Sequence, residues 1–84
     1  MDILIIGRHE RIVNGAKRIA LAFGHQADVA LDIDEQRSLL AGNTYHLILV
    51  HCGVSSADRG EISGETRMQD FVLVDGLISF FEAF

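Results

Sequence analysis

The sequence predicts a small α/β domain, a three-layer sandwich with a four-stranded parallel sheet in the spatial order 2-1-3-4. Three observations lead there. Short continuous apolar runs, Ile3–Ile6 and Leu47–Val50, read as strands covered on both faces. Between them the hydrophobic period lengthens to that of a helix. Glycines and aspartates mark the places where one pattern gives way to the other.

Ile3–Ile6 is the first strand, stopped by Gly7. From about Glu10 to Phe23 a helix is expected, with Ile12, Ala16, Ile19, Ala20 and Phe23 inward and Glu10, Arg11, Asn14, Lys17 and Arg18 outward. Gly24 follows where a left-handed C-cap belongs. Ala27–Ile33 reads as the second strand. Asp32 or Asp34 can cap a short helix through about Ala41, with Leu39 and Leu40 inward, before Gly42-Asn43 breaks the chain. Leu47–Val50 is the third strand. Ser55 or Ser56 offers a cap for a third helix. Gly60 and Gly64 weaken it by ~1 kcal/mol each, so a short helix or an irregular loop is expected. Phe71–Val74 is predicted as the fourth strand and Leu77–Phe84 as a last helix that aligns Leu77, Phe81 and Phe84.

A chain of 84 residues makes one domain. Such a chain buries only about 60–65% of its unfolded surface, so its core is thin. An apolar content of 49% offsets this in part. No apolar run approaches the ~20 residues of a membrane helix, and the first residues lack the basic region of a signal peptide. The single Cys52 excludes an internal disulfide and fits a reducing compartment, so a cytoplasmic protein is expected. The net charge is −5, yet residues 8–18 carry +3, leaving −8 for the rest. That balance argues against nucleic-acid binding, which needs many phosphate-neutralising cations. It leaves room for an acidic protein partner at the first helix.

Over residues 1–51 the spacing resembles a response-regulator receiver, a flavodoxin-like domain. Ile3–Ile6 corresponds to the first strand, Gly24-His25 to the Gly-aromatic step after the first helix, and Tyr45-His46-Leu47-Ile48-Leu49-Val50-His51 to the third strand with its Tyr-Asp-Leu-type entry. The resemblance implies a phosphorylation site that these residues do not supply. Gly7 and Arg8 stand where receivers carry a metal-binding acidic pair, and His51 where they carry the phosphoacceptor aspartate. Asp75 falls near the Ser/Thr position after the fourth strand. The fifth strand with its lysine, and the fifth helix, have no counterpart before Phe84. Phosphoryl transfer to a receiver needs an anionic oxygen nucleophile and a magnesium ion held by carboxylates. Arg8 puts positive charge where that cation belongs, and an imidazole is a poor magnesium ligand.

In an open parallel sheet, ligands bind beyond the C-terminal strand ends. That crevice should be lined by Gly7, Arg8, His9, His51, Cys52, Gly53 and Asp75. His9, His51 and Cys52 could collect zinc, but their spacing matches no short metal signature, and polar strand-end residues bonded locally are the plainer reading. Cys52 beside a histidine could act as a nucleophile, although no third orienting group is identifiable and a small inert residue is favoured. His51 could be phosphorylated or sense pH, against the simpler role of filling the vacated pocket. Gly7-Arg8-His9 hints at anion binding but lacks the later glycines of a dinucleotide loop. No catalytic residue, metal or cofactor is assigned.

Two surfaces carry more information. Arg11, Lys17 and Arg18 surround Leu21 on the outer side of the first helix, a docking face or a solvated basic face. The fourth strand is expected at a sheet edge with no charge, bulge or proline in Phe71-Val72-Leu73-Val74, whereas Asp28, Asp32 and Asp34 flank the second strand. With Phe80, Phe81 and Phe84 on the last helix, Phe71, Leu73 and these aromatics suggest a homodimer interface. The function expected is a non-catalytic, phosphorylation-independent signalling or interaction module. The alternative is a small-ligand, anion, nucleotide or metal binder, or a minor enzyme, using the strand-end crevice.

Overall fold

The computed structural model describes residues 1–51, 54, 60, 67–71 and 73–83. Its elements are β1 (Asp2–Ile6), α1 (Glu10–Ala22), β2 (Gln26–Ala30), α2 (Ile33–Gly42), β3 (Leu47–His51), β4 (Arg67–Phe71) and α3 (Val74–Glu82). The four strands form one sheet in the order β2-β1-β3-β4, and every pairing is parallel. This is the order that right-handed crossovers predict.

Alternation along the strands divides the core in two. Ile3, Ile5, Leu47, Leu49 and Phe71 face Val13, Ala16 and Ala20 of α1 and Leu77 and Phe81 of α3. Leu4, Ile6, Ala30, Ile48 and Val50 face the other way, with Tyr45 and Val54, and Leu39 and Leu40 of α2 pack against them. Because β1 and β3 are covered on both sides, Ile3–Ile6 and Leu47–Val50 are fully buried without a polar alternate.

The helices adjust the predicted faces. On α1 the buried residues are Val13, Ala16 and Ala20, while Ile12 and Ile19 flank them half-buried. Phe23, expected inward, is 39% exposed and lies flat on Phe81, with ring centroids 5.8 Å apart. Gly24 takes φ +85°, a left-handed conformation open to glycine and costly for other residues. Asp32 is the cap of α2: its Oδ1 accepts from the Glu35 N–H at 2.8 Å. Glu35 Oε2 in turn accepts from the Leu31 N–H at 2.8 Å. This reciprocal pair ends β2 at Ala30, three residues before the predicted Ile33.

The C-terminal elements also shift. The apolar run 71–74 is divided between elements, and its Val72 lies outside the described residues. Phe71 closes β4, Leu73 is the extended N-cap of α3, and Val74 is the first helical residue. β4 is instead the polar segment Arg67-Met68-Gln69-Asp70-Phe71, paired to the most apolar strand from Leu47↔Arg67 to His51↔Phe71. An edge strand needs only one covered side, so polar residues are tolerated there. α3 begins three residues before the predicted Leu77, and Phe84 lies outside the described residues, as does the stretch 55–66 apart from Gly60. Among the described residues no helix is long and apolar enough to cross a membrane.

Candidate functional site

The crevice beyond the C-terminal ends of β1 and β3 brings together Gly7, His9 and His51, three of the residues expected there. Gly7 continues from β1, and its N–H donates to the Ala30 carbonyl at 3.1 Å. A Cβ built on Gly7 would lie 3.1 Å from His51 Cβ and 2.5 Å from Val13 Cγ1. The tips of β1 and β3 and the first turns of α1 therefore meet with no room for a side chain at position 7. His9 is the N-cap of α1, and its carbonyl accepts from the Ile12 and Val13 N–H groups at 3.1 Å each. Its ring stands edge-on to that of His51, with centroids 5.7 Å apart. His51 is 7% exposed, and its ring also lies 5.5 Å from that of Phe71.

This wall consists of two imidazoles and an aromatic ring, with Arg8 half-buried beside them in the chain. Asp75 is exposed in the first turn of α3, which follows β4 in the chain. Cys52 and Gly53 lie outside the described residues. Among the described residues no three histidine, cysteine, aspartate or glutamate side chains gather closely enough to hold a metal ion. The arrangement offers imidazole nitrogens and a guanidinium, which suit an anion or a softer metal better than magnesium.

Three other surfaces stand out. Glu10, Arg11, Asn14 and Arg18 line a shallow groove on the outer face of α1. Arg11 and Arg18 are exposed, Lys17 is half-buried, and Leu21 is 47% exposed further along the helix. A second, apolar groove of about 290 Å³ runs between β4 and α3, lined by Leu49, Asp70, Phe71, Leu73, Gly76, Leu77 and Phe80. Of the residues expected at that edge, Leu73 is 69% exposed and Phe80 half-buried, whereas Phe71 and Phe81 belong to the core. They turn inward because β4 ends at Phe71 and α3 starts early enough to aim Phe81 at α1.

The third surface, at the opposite end of the sheet, was not anticipated. Asp2, Gln26, Asp28, Asn43, Thr44 and Tyr45 line a polar recess there. Tyr45 is 5% exposed, and its hydroxyl donates to Asp28 Oδ2 at 2.7 Å. Burial first, and then the Asp28 carboxylate, push that hydroxyl above its usual pKa range. Nearby, the Met1 ammonium donates to His25 Nδ1 at 3.1 Å, and the His25 ring lies 5.4 Å from Phe81. Burial and the ammonium together lower the His25 pKa. The resemblance used His25 only as the residue after Gly24, and a sequence pattern carries no signal that the chain start would fold back onto it.

These features define a small α/β domain with a parallel sheet, compatible with a flavodoxin-like fold. Comparison of the chain with protein-family models, with curated proteins and with solved structures finds no match.

Proposed function

We propose that this domain is a non-catalytic, phosphorylation-independent regulatory module of receiver-like build that works by protein–protein contact. One observation carries the reading: position 7, where a receiver would need a metal-binding carboxylate, is packed shut by Val13 and His51. A phosphoacceptor site needs carboxylate oxygens around a hard cation. Here the strand ends present Gly7 and the buried ring of His51. The same packing supports His51 as a residue that fills the pocket.

The basic face of α1 is the surface through which such a module would act. Arg11 and Arg18 are exposed two turns apart, about 10 Å along the helix axis, on a chain of net charge −5. A stripe this small selects an acidic protein segment over a nucleic-acid backbone.

The reading is tested by incubating the purified domain with magnesium and acetyl phosphate. Its intact mass should stay unchanged, and magnesium, phosphate and nucleotides should leave its melting temperature where it was. A phosphorylated species overturns the proposal. A melting temperature raised several degrees by one of these ligands favours a ligand-binding role for the crevice.

A further inference from the structure

We infer that the outer edge of β2, with the groove between it and α2, takes up an extended basic segment of a partner protein as an added strand. The backbone decides which residues are open. The Gln26 N–H donates to the Met1 carbonyl at 3.0 Å, and the Ala30 carbonyl accepts from the Gly7 N–H at 3.1 Å. The even-numbered residues of β2 therefore turn their backbone groups toward β1, and the odd-numbered ones turn theirs away from the sheet. The chain closes this outer row at both ends. The His25 N–H donates to the Ala20 carbonyl at 3.0 Å, and the Leu31 N–H to Glu35 Oε2 at 2.8 Å. Between them Ala27 and Val29 present their N–H and C=O groups outward, and among the described residues no strand pairs with them. β1 and β3 separate this edge from β4.

A groove of about 490 Å³ runs along the same edge, lined by Val29, Asp34, Glu35, Ser38 and Leu39. Val29 belongs to β2 and the other four to α2, so an added strand would lie between the edge backbone and the helix. The half-buried Val29 and Leu39 give the groove an apolar floor, and the exposed Asp34, Glu35 and Ser38 give it a polar rim. Alternate side chains of an extended segment would reach into it.

Charge names the occupant. From Gln26 to Ser38 the chain carries Asp28, Asp32, Asp34 and Glu35 against Arg37, a balance of −3. Asp28 is exposed on the edge strand itself, and all three other carboxylates are exposed on or just before α2. Asp32 and Glu35 are engaged in the cap of α2, so Asp28 and Asp34 are the counter-charges for incoming cations. This flank repels a second copy of an acidic chain, an acidic peptide and a nucleic acid alike. A segment that alternates lysine or arginine with apolar residues matches both the rim and the floor.

This surface is separate from the basic face of α1, and the inference stands whether or not that face holds an acidic partner. Only Ala27 and Val29 offer backbone groups to the added strand, so the contact is short. Its Kd is expected on the order of 100 μM.

The test titrates the chain with a capped peptide of about eight residues alternating lysine and valine, followed by backbone amide shifts. Shifts should concentrate in residues 26–31 and 34–39, and affinity should fall about fivefold or more between about 50 mM and about 300 mM salt. A peptide with glutamate in place of lysine should not bind. Alternate amides of an added strand face the edge, so of two peptides N-methylated at every lysine or at every valine, one should fail and the other bind. Val29→Pro removes an outward N–H without touching the ladder to β1, and Asp34→Lys reverses the charge of the rim. Each should weaken binding about fivefold or more with the circular dichroism of the parent, and Asp34→Lys alone decides if Val29→Pro does not fold. Absence of shifts at 26–31, equal binding of the glutamate peptide, equal binding of both methylated peptides, or undiminished binding by Asp34→Lys overturns the inference.

Discussion

Gly7 and His51 lock the tips of β1 and β3 together: a Cβ on Gly7 would sit 3.1 Å from the Cβ of His51. Val13 closes the third side at 2.5 Å from the same point. The β-branched valine has little freedom to swing away. Gly7→Ala should therefore destabilise the domain by about 1–3 kcal/mol, as overpacking does. Adding Val13→Ala to it should recover part of the loss, although Val13→Ala alone should cost stability. Urea titrations of the four proteins measure this coupling. Strictly additive effects would mean that positions 7 and 13 do not share the space.

The Tyr45–Asp28 bond, 2.7 Å long, ties the entry of β3 to β2. In Tyr45→Phe the ring stays buried and the hydroxyl is lost. Asp28 is exposed and can turn to water, so the expected loss is about 1 kcal/mol. Asp28→Asn, which still offers an oxygen acceptor, should lose less. A Tyr45→Phe protein as stable as the parent would make this bond energetically idle.

His25 gives the fold a pH response. Its pKa is lowered by burial and by the Met1 ammonium, which donates to its Nδ1. The unfolded chain then binds the proton first as pH falls below about 6.5. The contribution of His25 is fully present above that pH and declines on acidification. Melting temperatures between about pH 7.5 and pH 5 should fall more steeply for the parent than for His25→Gln. Parallel curves would show that His25 titrates alike in both states.

Arg11 and Arg18 stand on the outer face of α1, away from the buried Val13, Ala16 and Ala20, and the half-buried Lys17 flanks that buried stripe. Replacing all three by glutamate should leave the fold intact, with a melting temperature changed by no more than a few degrees. Retention of a native partner from the host should fall, and for the parent it should weaken with added salt. Equal, salt-insensitive retention by both proteins would remove α1 as the docking face.

The legible parts of this fold were those where local pattern and burial agree. Ile3–Ile6 and Leu47–Val50 lie in strands buried on both faces, and an uninterrupted apolar run is what that environment requires. Gly24 and Asp32 act through their own backbone neighbours, so their roles could be read where they stand. Arg11, Arg18 and Leu21 were placed outward by the helical period alone. The convergence of Gly7 and His51 followed from parallel strand order, since tips of adjacent parallel strands lie side by side.

What the sequence determined by itself was the alternation of strands and helices, their parallel order, and the want of a carboxylate at Gly7, Arg8 or His51. Tertiary structure alone decided the boundaries at 67–74, where Phe71 ends a strand, Leu73 caps a helix, and the polar segment before them becomes the edge. It also decided which aromatics are inside, how Gly7 is walled by Val13, and that Met1 reaches His25. The physical reason is that an apolar run states only that burial is wanted. Whether a strand, a cap or a helix provides it depends on the partner surface, and that surface is assembled from residues far away in the chain.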